Sequence, residues 1–434
     1  MDVPVWLLAI RIDHGPAIWA IRLIAVAFVL VLVIRRPTRR WLLTAPLALL
    51  GGALLALAAT WLLQDVLDVF DSPMERDVRL WIAATGAAVG LAIANLWLSR
   101  WWRKLVAVFA IAVFALCGAL GVASASGIAK NVGDLLDMPV EQPLNVSSLA
   151  PHSTNPPGAL AASWTAPPGM PTTGTEGTVT IPATASGFPA RDAIVYLPPA
   201  ARLPDAPALP VVVFMSGQPG APDVSDIGAS LDSFAAEHGG LAPIVVSVDQ
   251  LGGDGDDNPL CIDGYEGNAQ TYVNVDVPAY IAKTFNVLTG PANWTIAGFS
   301  NGGGCAIRFA AAFPELWGNV IDIAGELGPD LGSPEETIDE GFGGDVKAYD
   351  HAQAGAMLAA GAPFADTDAI FADGTDDEPF LSASRSVSAA AAEAGMRTSL
   401  FISPGTGHDV DTIAYGFDHA FPLLYPRWGL ASTG

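Results

Sequence analysis

Long and short apolar runs alternate with polar breaks in two different ways along this chain. Residues 16–34, 41–63, 80–98 and 105–122 are four long apolar stretches, each close to the roughly 20 residues a helix needs to cross hydrocarbon. Residues 1–127 are therefore predicted as an all-α transmembrane region of about four helices. Arg22 interrupts the first stretch, near an end from which a long side chain can snorkel to the headgroups. Residues 128–174 follow as a linker. From Asp137 on it is rich in Pro, Ser, Thr and Ala and has no helical or strand period, as a tether or a lead-in hugging the surface would be.

From residue 175 to 434 the period changes. EGTVTIPA and DAIVYLPP read as two antiparallel strands. The short apolar runs PVVVFMSG, PIVVSVDQ, WTIAGFS, NVIDIAG, AIFADG and TSLFISPG then have Gly- or Asp-rich ends, and stretches of helical length such as 277–288, 303–313 and 381–394 separate several of them. Strands alternating with helices predict βαβ units and a mostly parallel sheet with helices on both faces, an α/β domain.

Composition supports the division. The chain is 51% hydrophobic and only 15% charged, which suits a protein partly in lipid. Its net charge of −24 comes from the second part, because residues 1–127 hold 11 basic and 7 acidic side chains, a small positive excess, and the remainder 9 and 37. Such an acidic surface offers no cationic stripe to phosphate backbones, so nucleic acid is excluded as a partner. Arg35, Arg36, Arg39 and Arg40 lie between the first two stretches, and Arg100, Arg103 and Lys104 between the last two. By the positive-inside rule these loops are cytoplasmic, which makes the chain multi-pass and places everything after Gly127 on the extracellular side. Trp41, Trp61, Trp81, Trp97, Trp101 and Trp102 cluster at the stretch ends as interfacial belts do. Ala123-Ser124-Ala125 resembles a signal cleavage site, but a signal peptide has one short apolar region rather than four long ones.

The sharpest chemical signal is Gly298-Phe299-Ser300-Asn301-Gly302, with a strand before it and the helical CAIRFAAAF after it. Glycines permit a tight strand-to-helix turn that projects Ser300 at the end of the sheet, the nucleophile-elbow context, and the helix amino end faces a developing oxyanion. Three segments, DAIVYLPPAA with PVVVFMSGQPG, AGFSNGGGCAIRFAAAFPELWGNVIDIAGE, and PGTGHDVDTIAYGFDHAFPLL, make residues 178–427 resemble the esterase branch of the α/β-hydrolase superfamily. Esterase D, feruloyl esterases and the secreted mycolyltransferases belong to that branch. The resemblance covers none of the apolar region and implies an α/β-hydrolase fold with esterase or acyltransferase activity.

A base for Ser300 is expected after the last strands, where His408 follows TSLFISPGTG; His419 lies on the next apolar helix. The orienting acid should precede it in the order Ser, Asp, His. Asp377 stands where related hydrolases place the acid, and Asp376 and Asp373 are alternatives that spacing does not separate. The oxyanion hole is expected from the amides of Asn301 and of Gln218, in a Met-Ser-Gly loop where the family usually has His-Gly. Cys261 and Cys305 are a candidate disulfide if the domain is extracellular, and two buried thiols otherwise. The run Asp254-Gly-Asp-Asp-Asn258 invites comparison with a calcium loop, but Pro259 and Tyr265 replace the expected glycine and terminal glutamate, so a solvated acidic loop is expected and no metal. Ser-His-Asp chemistry needs no cofactor. The expectation is a membrane-anchored extracytoplasmic serine esterase acting on small-molecule or lipid esters. The alternatives are an acyltransferase on cell-envelope lipids or glycans and a non-catalytic binding module.

Overall fold

The computed structural model describes residues 4–12, 15–35, 38–67, 74, 76–97, 99–125, 131–135, 140, 142–149, 159–253 and 258–431. The chain divides into two compact units between Val140 and Glu141.

The first unit contains α1 (Pro16–Val33), α2 (Arg39–Trp61), α3 (Arg76–Trp97) and α4 (Trp101–Ala125). All four are long and apolar enough to cross a membrane. Their bounds differ from the predicted ones by a few residues, because polar ends such as Arg76–Arg79 and Trp101–Lys104 continue the helix beyond the apolar window; Arg36 and Leu98 lie outside the described residues. Helices α2 and α3 approach through glycines: a Cβ on Gly90 would lie 2.4 Å from the Ala48 carbonyl oxygen, and one on Gly86 2.6 Å from that of Gly52. Small residues allow this close approach of the two backbones. Arg103 of α4 donates to the Val31, Leu32 and Ile34 carbonyls at the open carboxyl end of α1. Arg22, in the second turn of α1, sits over the rings of Trp19 and Trp81 at 5.3 and 5.1 Å.

The second unit is built on an eight-stranded sheet in the order β1-β2-β4-β3-β7-β8-β9-β10. Its strands are β1 (Thr175–Val179), β2 (Ala193–Leu197), β3 (Val211–Met215), β4 (Ile244–Val248), β7 (Trp294–Phe299), β8 (Asn319–Ile323), β9 (Asp368–Gly374) and β10 (Arg397–Ser403); β5 (Asp263–Gly264) and β6 (Gly267–Asn268) form a separate small hairpin. β2 runs antiparallel to both its neighbours, and the pairs from β4 to β10 are parallel. β2, β3, β4 and β8 are buried at every position. That is why these segments read as continuous apolar runs: a sheet covered on both faces has no polar side.

The principal helices are α5 (Ser225–Glu237), α6 (Val277–Thr284), α7 (Asn301–Ala312), α8 (Ala354–Gly361), α9 (Glu378–Glu393) and α10 (Val410–Arg427). On β8 a Cβ at Gly303 of α7 would lie 2.6 Å from the Asp322 Oδ1, while one at Gly416 of α10 would lie 2.8 Å from Cδ1 of the next residue, Ile323. Successive strand residues face opposite ways, so α7 and α10 cover opposite faces. This is the α/β-hydrolase arrangement.

Of the segment expected as linker, residues 131–135 belong to the first unit, where the Val132 amide donates to the Ile10 carbonyl at 3.1 Å, and residues 142–149 and 159–174 pack on the second. Thr178 of the edge strand β1 exchanges backbone bonds with Gln142 and Leu144, at 3.0 and 2.9 Å. Leu160 is buried in the core, and Trp164 Nε1 donates to the Gly239 carbonyl at 2.8 Å. The added backbone covers an edge that would otherwise be open to pairing.

Candidate active site

Ser300 caps α7 directly after β7, with φ 57° and ψ −122°. A non-glycine residue holds such a backbone only when its surroundings impose it. Here they do: the Ser300 amide donates to the Ile323 carbonyl of β8 at 2.9 Å, and the Gly304 amide closes back on the Ser300 carbonyl at 3.1 Å. The flanking glycines are steric requirements. A Cβ on Gly298 would fall 2.0 Å from the Gly302 oxygen, and one on Gly302 2.2 Å from the Met215 oxygen at the end of β3. Ser300 thus stands at the carboxyl edge of the central strands, 8% exposed.

His408 lies in the turn between β10 and α10. Its Nδ1 donates to Asp377 Oδ2 at 2.7 Å, which leaves Nε2 as the free ring nitrogen. The ring packs between Phe380, at 4.0 Å between centroids, and Phe299, at 4.6 Å. Phe299 immediately precedes Ser300, so the imidazole lies beside the elbow.

The three candidate acids occupy different settings. Asp377 is buried and holds His408. Asp376 is exposed, its amide bonded to the Thr406 carbonyl at 3.0 Å and its carboxylate accepting from Thr375 Oγ1 at 3.1 Å. Asp373 lies fully buried at the end of β9, accepting from the Gly374 amide and from Ser384 Oγ, both at 2.8 Å. Burial pushes its carboxyl up to about 6 against the pull of Ser384. His419 sits on α10, stacked on Tyr415 at 3.9 Å with Nδ1 on the Tyr415 carbonyl.

The loop after β3 passes directly over the elbow: a Cβ on Gly217 would lie 3.1 Å from that of Ser300. Gln218 is the next residue along. Across from it, Asn301 is the first residue of α7, whose amide has no acceptor within the helix. Gln218 thus follows the loop residue beside Ser300, and Asn301 follows Ser300 itself.

Sequence reasoning missed the groups that hold these loops. Asp249 and Gln250 follow β4. Asp249 binds the Arg191 side chain at 2.7 and 3.1 Å, and Arg191 in turn donates to the Gly220 carbonyl at 2.8 Å. Gln250 Nε2 donates to the Ser216 carbonyl at 2.6 Å. The available signal was the polar pair closing PIVVSVDQ, at the carboxyl end of a strand, where α/β sheets build their sites. Asp322, also missed, lies fully buried beneath α7, and its Oδ1 has no hydrogen-bond partner among the described residues. Burial, then the neighbouring Asp373, pushes its carboxyl up to about 8.

Cys261 and Cys305 form a disulfide joining α7 to the loop after β4. Residues 254–257 of the acidic loop lie outside the described residues. No group of three or more His, Cys, Asp or Glu side chains suited to a metal is found among the described residues. A pocket of about 590 Å³ opens between two insertions that follow strand ends, lined by Ile262, Asp263, Tyr265, Gln270, Glu340 and Phe342 among others; its lining includes no basic side chain.

Sheet order and elbow define an α/β hydrolase. Residues 190–412 match the family described as "Putative esterase", and the chain belongs to that family. It is 35% identical over 254 residues to an uncharacterized protein of Corynebacterium glutamicum, an alignment covering 56% of this chain and 59% of that protein. The chain thus spans less than two thirds of that relative's length. Among solved structures it resembles an S-formylglutathione hydrolase from Agrobacterium tumefaciens, at 20% identity over 59% of this chain and 97% of the other with a TM-score of 0.49. It also resembles a ferulic acid esterase from Anaeromyces mucronatus, at 17% identity over 64% and 96% of the two chains with a TM-score of 0.45.

Proposed function

We propose that this protein is a membrane-anchored serine esterase whose nucleophile is Ser300. The observation that carries the reading is the juxtaposition of a strained elbow serine with a His408–Asp377 pair at 2.7 Å, packed against the residue before that serine. Ser300 Oγ attacks the acyl carbonyl and His408 Nε2 takes its proton. Asp377 keeps the imidazole in the tautomer with Nδ1 protonated and stabilises the imidazolium. The amides of Gln218 and Asn301 receive the oxyanion. Collapse expels the alcohol with a proton from His408, and water repeats the sequence on the acyl-enzyme to release the acid.

In this reading the four apolar helices serve as the anchor, and the positive-inside rule applied to their basic loops supports an extracytoplasmic hydrolase unit. The acidic composition of the hydrolase unit favours uncharged esters over anionic ones. The test is hydrolysis of p-nitrophenyl acetate and butyrate by the full chain in detergent micelles beside Ser300→Ala. Turnover that disappears in the variant is expected; equal turnover in both, or none from folded wild type, contradicts the reading.

A further inference from the structure

The described residues outside the triad hold one polar network built around three carboxamides, and it runs between the two expected oxyanion donors. Gln250 Nε2 donates to the Ser216 carbonyl at 2.6 Å and to Asn301 Oδ1 at 3.3 Å. Asn301 Nδ2 donates to Asn258 Oδ1 at 3.3 Å, and Asn258 Nδ2 to the Asp330 carbonyl at 3.0 Å. The amides are therefore ordered head to tail. Both ends finish on backbone carbonyls, which can only accept, so each amide has one orientation that satisfies the whole chain.

Gln250 is 2% exposed, and burial of a primary amide is costly unless its donors are satisfied. Its two acceptors belong to different segments. Ser216 lies two residues before Gln218, in the loop that passes over Ser300, and Asn301 follows Ser300 on α7. Arg191 binds that same loop at the Gly220 carbonyl, two residues beyond Gln218. The peptide bearing the Gln218 amide is thus held on both sides from the adjacent residues Asp249 and Gln250, but only Gln250 also reaches the nucleophile helix.

We propose that Gln250 is a positioning residue for the oxyanion hole, setting the separation of the Gln218 and Asn301 amides by bridging the segments that carry them. The inference rests on the esterase reading of Ser300. The Gln250 side chain bonds to Ser216 and Asn301 and not to His408 or Asp377. Removing it leaves the triad intact and loosens two donors whose placement matters only as the carbonyl oxygen gains charge.

Three measurements on the full chain in detergent micelles test this with Gln250→Met, which keeps the volume and removes the donors. For p-nitrophenyl butyrate, kcat is expected to fall about 10–100-fold, by analogy with loss of an oxyanion donor, with KM changed less than about twofold. The inhibition constant of an alkyl trifluoromethyl ketone, which forms the tetrahedral adduct, should rise by the same factor. The pH midpoint of kcat should stay in place, because His408 and Asp377 are untouched. Asn301→Ala deletes the shared acceptor while keeping the amide and should give the same signature; it carries the test alone if Gln250→Met does not fold. Wild-type kcat and ketone affinity in these variants, or a loss confined to KM, overturns the role of Gln250 while leaving the esterase intact. A folded wild type that neither turns over esters nor binds the ketone overturns both.

Discussion

Two adjacent aspartates illustrate what single residues decide here. Asp376 and Asp377 are indistinguishable by spacing, since both follow β9 and precede His408. The chain separates them by the turn at Gly374, which buries Asp377 as the cap of α9 and leaves Asp376 exposed. Asp377→Asn should therefore lower kcat on the order of 10³–10⁴-fold by losing the imidazole orientation, while Asp376→Asn should stay within about threefold of wild type, by the rule that exposed substitutions away from special features are nearly neutral. Steady-state ester hydrolysis by the two variants decides it, and the reverse ranking would remove Asp377 from the mechanism. Ser300 and His408 were legible because chain order and flanking strands mark them. Gln250 and Asp322 were not, since one polar residue after an apolar strand carries no mark of the partners that tertiary packing supplies.

At the scale of elements, the alternation of apolar runs was enough to foresee the parallel core, and the Gly-x-Ser-x-Gly stretch to foresee the turn between β7 and α7. What the runs did not carry was strand order, which depends on crossovers, or the return of residues 142–144 to cover the β1 edge, which depends on backbone bonds rather than side-chain pattern. The disulfide lay between these cases: the cysteines were visible, but not that α7 and the β4 loop bring them together. Its closed loop has a sequence separation of 44, so Cys261→Ser/Cys305→Ser should lose about 2–4 kcal/mol, read from denaturant unfolding. Reduction of the wild type should reproduce that loss. A double variant as stable as oxidised wild type would deny the bridge any role in stability.

The molecule as a whole joins a four-helix apolar unit to an acidic α/β-hydrolase unit, and its response to pH should expose the buried carboxyls beneath the elbow. Asp322 holds its proton to about pH 8 in the folded chain, whereas an unfolded aspartate releases it near ~3.9. Between these values the native state binds more protons, so stability falls as pH rises, and the contribution is gone above the folded value. Asp373 follows the same rule only to about 6 and Glu326 only to about 7, so the upper end of the range, roughly pH 7 to 8, is where the contribution of Asp322 is still being lost. The unfolding midpoint of the hydrolase unit, followed within the full chain, should drop across that interval, and Asp322→Asn should flatten the drop. An equal slope in the variant would show that Asp322 ionises normally.

The central claim is that Ser300 is the nucleophile, and adduct mapping tests it most directly. The full chain in detergent micelles is treated with a fluorophosphonate, reduced, and cleaved with trypsin, which releases residues 284–308 as one peptide. The account predicts a single phosphonyl adduct on that peptide at Ser300, absent from Ser300→Ala. A folded protein that remains unlabelled, or carries its adduct on another residue, would contradict it.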